Sequence, residues 1–198
     1  MASGENFSCM SMEEDIKESL NTLRQGGIIL YPTDTIWGLG CDPTNSVAVE
    51  KIFKIKSRVE SKGLIILVDG LSMIERYVKD IPEIVYELAD VSDTPLTIIY
   101  PKGKNLAAGV CSEDESIAIR ICHDEFCMEL INRFRKPIVS TSANLSGKPS
   151  PVNFDEIERT IIEKADFVVN YRQNDRSKSN ASPVIKVNED GPIKIIRK

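Results

Sequence analysis

The chain has 198 residues, 41% hydrophobic and 28% charged, with 25 basic against 30 acidic side chains and a net charge of −5. That length supports one substantial core, and the acidic balance disfavours indiscriminate binding to nucleic-acid phosphates, which needs a surplus of cations. The N-terminus, MASGENFSCMSMEEDIKESL, has no basic flank followed by an apolar run, and no segment approaches the roughly 18 apolar residues of a membrane span. A cytoplasmic protein without a membrane partner is expected.

In chain order, Ser11-Met12-Glu13-Glu14 reads as a capping box, and Ile16, Leu20 and Leu23 continue at helical spacing until Gly26-Gly27. Residues 1–11 read as a flexible tail and 12–198 as a single domain. IILY (28–31) is a buried strand ended by Pro32, followed by a loop from Thr33 to Gly40 in which Asp34 bonds its own turn. Trp37 reads either as a core aromatic or as a ligand wall. A helix is expected over about 46–55, then strand LIILV (64–68), helices near 71–79 and 82–91, and strand LTIIY (96–100).

SIAIRI (116–121) alternates, so Ser116, Ala118 and Arg120 share one face of a strand. A helix near 124–134 leads to PIVSTSANLSGKPSP (137–151), a strand running into a permissive loop; helix 153–164 and strand DFVVN (166–170) follow. Residues 171–182 are polar and read as mobile. PVIKV and IKIIR, separated by a turn at 188–191, read as a hairpin. Helices alternating with short apolar strands indicate an α/β fold with an at least partly parallel sheet.

Cys9, Cys41, Cys111, Cys122 and Cys127 contain no CxxC, and His123 is the single histidine, so a disulfide framework, a zinc centre and histidine-based nucleophilic catalysis are poor readings. Against the overall charge, Lys51, Lys54, Lys56, Arg58 and Lys62 cluster around one acid, Glu60. Such a run is a solvated helix face or an anion site, depending on where it lies.

Three loops carry candidate chemistry: Thr33–Gly40, Lys56–Gly63 and Ser140–Pro151. Two begin at strand ends, where open α/β sheets bind ligands. Their hydroxyls and amides suit anions, with Lys56 and Arg58 adding charge. Neither GxxxxGK[ST] nor a full GxGxxG is present.

Together these segments resemble the YrdC-type threonylcarbamoyl-AMP synthases. YPTDTIWGLGCD is similar to that family's PTxTxYGL segment, KSRVESKGLI to its KxRPxxKGLI segment and STSANLSGKPSP to its SAN-containing segment, with SIAIR and SPVIKV…IIR resembling two more. The resemblance spans about residues 14 to 197 and is with the short, single-domain kind. It implies a YrdC-like fold, a twisted mixed parallel and antiparallel sheet flanked by helices around a cationic concave cavity.

The implied reaction joins L-threonine, bicarbonate or CO₂, and ATP to give threonylcarbamoyl-AMP and pyrophosphate, for the t6A modification at adenosine 37 of tRNA by a separate transferase. Mg²⁺ would arrive on the nucleotide, with no metal ligands from the protein. The resemblance implies catalytic roles for Lys56 and Arg58. It implies ATP contacts from Arg58, Lys62, Ser116, Ser142, Asn144, Ser150 and Arg197, and threonine contacts from Thr35, Arg120, Ser140 and Ser182.

Val59 and Cys122 stand where the family has prolines, Trp37 where it has tyrosine, Leu67 where some members have histidine, and Pro183 where a threonine is usual. Two alternatives therefore stay open: a paralogue with another acceptor, and a tRNA or double-stranded RNA binder using the cationic surface.

Overall fold

A computed structural model describes residues 11–57, 63–86, 94–177, 180–188 and 193–198. The first helix, α1 (Met12–Arg24), opens on the expected capping box: the Ser11 side chain accepts from Glu14 N–H while the Glu14 carboxylate accepts from Ser11 N–H. It buries Ile16, Leu20 and Leu23, and Gly26, at φ +72°, turns the chain after it. Next come β1 (Ile29–Tyr31), β2 (Gly38–Gly40), α2 (Ser46–Lys56), β3 (Ile65–Val68) and α3 (Leu71–Tyr77). They are followed by β4 (Thr97–Tyr100), β5 (Ile117–Ile121), α4 (Glu125–Phe134) and β6 (Ile138–Ser142). A 3₁₀ turn (Phe154–Glu156), α5 (Arg159–Ile162), β7 (Phe167–Val168), β8 (Val184–Val187) and β9 (Ile193–Arg197) complete the described elements.

The strands form one sheet in the order β7-β1-β2-β6-β3-β5-β4-β8-β9. Pairs β1/β7, β3/β5 and β4/β8 are parallel and the others antiparallel, so the sheet is mixed as expected. The expected hairpin is the β8/β9 pair, which carries a register irregularity between Val184 and Ile185. One sheet face carries Ile66, Val68, Ile117, Ile119 and Val139, all buried. Helices α1 and α4 pack on each other, contributing Ile16, Leu20, Phe126, Leu130 and Ile131 to the core. No described helix is long and apolar enough to cross a membrane.

Three expectations change. The Thr33–Gly40 loop ends in a strand, because Gly38 and Gly40 let β2 run beneath the Tyr31 ring: a Cβ on Gly40 would lie 2.6 Å from Tyr31 Cε1. The helix over 153–164 is broken, since Ile157 and Glu158 are extended (ψ 127° and 133°) between the 3₁₀ turn and α5. Buried Ile157 and Ile161 still satisfy the spacing that marked it. In place of the helix over 82–91 there is a helical turn at 84–86, and residues 87–93 lie outside the described ones. The 171–182 stretch starts from an anchor: buried Asp15 accepts from Asn170 N–H (3.0 Å) and Tyr171 N–H (2.7 Å).

Candidate active site

The sheet register sets the floor of the site. Arg197 lies opposite Val184, Val184 opposite Thr97, Thr97 opposite Arg120, and Arg120 opposite Leu67. Directly paired residues project to the same side of a sheet. Ile65, two residues from Leu67, is opposite Ser140, and Gly38 is opposite Ser142. Strands β9, β4, β5, β3, β6 and β2 thus turn Arg197, Thr97, Arg120, Ile65, Ser140, Ser142 and Gly38 toward one side. A cavity of about 120 Å³ opens there, lined by Thr35, Trp37, Arg120, Ser140, Ser142, Ser150, Ser182 and Arg197 among others.

The Thr33–Trp37 segment forms one wall. Thr33 Oγ1 accepts from Thr35 N–H (3.1 Å) and donates to Ile36 C=O (2.8 Å), closing the turn. Asp34 therefore does not make the turn bond expected of it. Its carboxylate points inward, with Oδ1 3.1 Å from Arg120 Nη2. Arg120 Nη1 donates to Thr35 Oγ1 (2.9 Å) and to Ser182 Oγ (3.4 Å). Trp37 fits both of its readings, being buried against Phe154 with ring centroids 4.9 Å apart while lining the cavity.

Ser182 joins the two sides of the site. Its hydroxyl is 2.7 Å from Thr97 Oγ1, and its carbonyl accepts from Arg197 Nε (3.1 Å) and Nη2 (2.6 Å). Burial, and secondarily the charge of Arg120, pull the Arg197 pKa below its ordinary value. Among the described lining residues Arg120 and Arg197 carry the charges.

The SAN loop is held from behind. Lys56, 3% exposed, sends its ammonium to Ser142 C=O, Asn144 C=O (2.8 Å) and Asn144 Oδ1 (3.4 Å). Asn144 Nδ2 donates to the carbonyls of Leu145 and Lys148, and Ala143 N–H donates to Trp37 C=O (3.0 Å), which ties this loop to the opposite wall. Lys56 and Asn144 are thus bonded within the frame of the loop and are not among the residues that line the cavity.

Of the residues expected to bind substrates, the structure brings together Thr35, Arg120, Ser140, Ser142, Ser150, Ser182 and Arg197. Ser116 stands apart from them, with its N–H and hydroxyl donating to Asp114, which also pairs with Lys186 at 2.8 Å. The Lys186 and Ser116 hydrogen bonds hold the Asp114 pKa down to about 2. Arg58 and Lys62 lie outside the described residues. Thr97, Ile65 and Asp34 were missed by sequence reasoning. Thr97 and Ile65 are recognisable only from their register against Arg120 and Ser140, and Asp34 only from its distance to Arg120.

The family model for Sua5/YciO/YrdC, described as "Telomere recombination", matches residues 21–198. A threonylcarbamoyl-AMP synthase of Pseudoalteromonas translucida is 36% identical over 163 residues, covering 81% of this chain and 87% of that protein. One of Vibrio parahaemolyticus is 33% identical over 168 residues, covering 83% and 91%. Among solved structures, P. abyssi Sua5 complexed with L-threonine superimposes with a TM-score of 0.83 at 27% identity, over 95% of this chain and 54% of that one. The chain thus spans about half the length of that structure. E. coli YciO, at 21% identity and TM-score 0.77, shares the fold over 92% of this chain and 88% of its own. A model match across nearly the whole sequence, with relatives more than 30% identical over most of their length, establishes that the chain belongs to the Sua5/YciO/YrdC family.

Proposed function

We propose that this protein is an L-threonylcarbamoyladenylate synthase, a nucleotidyltransferase acting on L-threonine, bicarbonate or CO₂, and ATP in the cytoplasm. The observation that carries the reading is the convergence of Thr35, Arg120, Ser140 and Ser182 with Ser142, Ser150 and Arg197 on one cavity. The relatives' shared name, threonylcarbamoyl-AMP synthase, and the threonine complex of P. abyssi Sua5 support the choice of substrate.

The reaction forms two bonds. The threonine nitrogen adds to CO₂ with loss of a proton, giving a carbamate. A carbamate oxygen then attacks the α-phosphorus as the bond to the bridging β-phosphate oxygen breaks and pyrophosphate leaves. Because anions must meet, catalysis is chiefly positioning and charge neutralisation. Arg120, whose Nη1 is aimed between Thr35 and Ser182, takes the threonine carboxylate. Ser140 lies on the same cavity wall for the amino acid, and Trp37 with Ile36 offers the methyl group an apolar surface.

Arg197, Ser142 and Ser150 face the nucleotide, and the family resemblance supports phosphate contacts from Arg58 and Lys62, which lie outside the described residues. Lys56 acts through the SAN loop that its ammonium holds. Ser116 stands apart from the cavity with its hydroxyl proton directed to Asp114, and a nucleotide contact from it rests on the family resemblance alone. Mg²⁺ enters with ATP as part of the substrate. A hard divalent cation needs several oxygen ligands; among the described lining residues the cavity offers hydroxyls and no carboxylate.

The product, an acyl adenylate, is consumed by a transferase that moves the threonylcarbamoyl group to adenosine 37 of tRNA. The test is pyrophosphate release with ATP alone and then with threonine and bicarbonate. Release that requires both is expected, and release indifferent to threonine overturns the reading.

A further inference from the structure

Five buried side-chain nitrogen and oxygen atoms have no hydrogen-bond partner among the described residues, and three belong to one contact: Arg120 Nε and both carboxylate oxygens of Asp34. Asp34 Oδ1 is within ion-pair distance of Arg120 Nη2, at 3.1 Å, but is not aligned for a hydrogen bond. The side chains are only 5% and 10% exposed. Asp34 is not among the residues that line the cavity, whereas Arg120 is. The other terminal nitrogen, Nη1, faces Thr35 Oγ1 and Ser182 Oγ in the cavity wall, while Nη2 also donates to Thr33 Oγ1 at 3.4 Å.

From this geometry we propose that Asp34 is the positioning residue for Arg120, a buried counter-ion that keeps the Nη1 edge turned toward an incoming amino-acid carboxylate. The inference rests on the threonine reading of the cavity given above. Stripped of Asp34, the guanidinium retains only hydroxyl partners among the described residues, and a buried charge left without its counter-ion is strongly unfavourable where it stands. The cavity is the route open to it. Charge without geometry predicts the opposite effect: loss of Asp34 leaves the site more positive, which would tighten carboxylate binding. The sign of the change in threonine affinity therefore separates positioning from simple charge balance.

The experiment compares Asp34→Asn, Arg120→Gln and the double variant in pyrophosphate release, with KM measured separately for threonine and for ATP and folding followed by thermal melting. Arg120→Gln is expected to raise the threonine KM by at least about tenfold. Asp34→Asn should raise it about tenfold, leave the ATP KM within about twofold, and lower kcat far less than it raises the threonine KM. In the double variant the threonine KM should exceed that of Arg120→Gln by no more than about twofold, since Asp34 acts through the residue already removed.

An unchanged or lowered threonine KM in Asp34→Asn, equal increases for both substrates, or multiplicative effects in the double variant would overturn the proposal. Failure of Asp34→Asn to fold, alone or with Arg120→Gln, would make its role structural and overturn it equally. If instead Arg120→Gln leaves the threonine KM untouched, it is the threonine reading of the cavity that fails.

Discussion

The ammonium of Lys56 stands 2.8 Å from the main-chain carbonyl of Asn144 and also reaches that of Ser142, so the last residue of α2 clasps the loop that carries the nucleotide-side serines. Replacing it by methionine keeps the stem but removes the charged donor from Asn144 C=O and Oδ1, while Ser142 C=O still accepts from Asn144 N–H. Hydrogen bonds to a charged group contribute about 1.5–3 kcal/mol each. Lys56→Met should lower stability by about 3 kcal/mol, or roughly 6–12 °C in Tm for a chain of this size, and raise the ATP KM. Thermal melting with and without nucleotide checks both.

Trp37 is the only tryptophan in the chain and lines the cavity at the point where Phe154 packs on it. Its fluorescence should therefore report amino-acid binding directly. Titration with threonine should shift the emission saturably, and Phe154→Ala, which removes the ring that seats it, should blunt the change and cost about 3–5 kcal/mol or less of stability, Phe154 being only partly buried.

Gly40 and Gly38 differ in what a methyl group would meet. On Gly40 it would lie 2.6 Å from Tyr31 Cε1 and 2.9 Å from Val139 C=O, whereas on Gly38 its nearest neighbour is Ser140 Oγ at 3.3 Å. Gly40→Ala should destabilise by about 1–3 kcal/mol through overpacking. Gly38→Ala should fold close to normally but intrude on the cavity and raise the threonine KM. Denaturant melts and steady-state kinetics of the pair distinguish these outcomes.

Asp114 couples the approach to β5 to pH. Its folded pKa is held down to about 2, first by the hydrogen bond from Lys186 and then by that from Ser116. A depressed carboxylate pKa contributes stability that is fully present above the unfolded value, near 3.9, and is lost as pH falls through the folded value. Stability should therefore decline between about pH 4 and pH 2 more steeply in the wild type than in Asp114→Asn. Because the side chain is 55% exposed, the difference should be modest and shrink with salt. Acid titration of the melting temperature of both proteins is the measurement.

Much of the site was legible because motif residues and strand parity agree. Arg120, placed with Ser116 on one face of SIAIRI, does point into the cavity, while Ser116 falls just before β5 and bonds to Asp114. What escaped was long-range. Nothing local in YPTDTIWGLG signals that Asp34 faces a guanidinium 86 positions later, and an aspartate beside a turn has an ordinary local explanation. Gly40 read as loop chemistry because the aromatic ring that requires it belongs to the preceding strand. The 153–164 helix was drawn through on apolar spacing, although that spacing survives a break when both halves pack on the same core.

The irregularity in the last hairpin decides which side of the sheet Arg197 serves. From Val187 opposite Ile193 to Ile185 opposite Ile195 the ladder runs evenly, and continuing it would set Ile196 opposite Val184. The single extra residue brings Arg197 there instead, and a one-residue offset inverts the face of every side chain beyond it. Arg197 is thus addressed by parity: an insertion or deletion in β9 would either swing the guanidinium to the helical side or be absorbed by the bulge, with no intermediate geometry between those states.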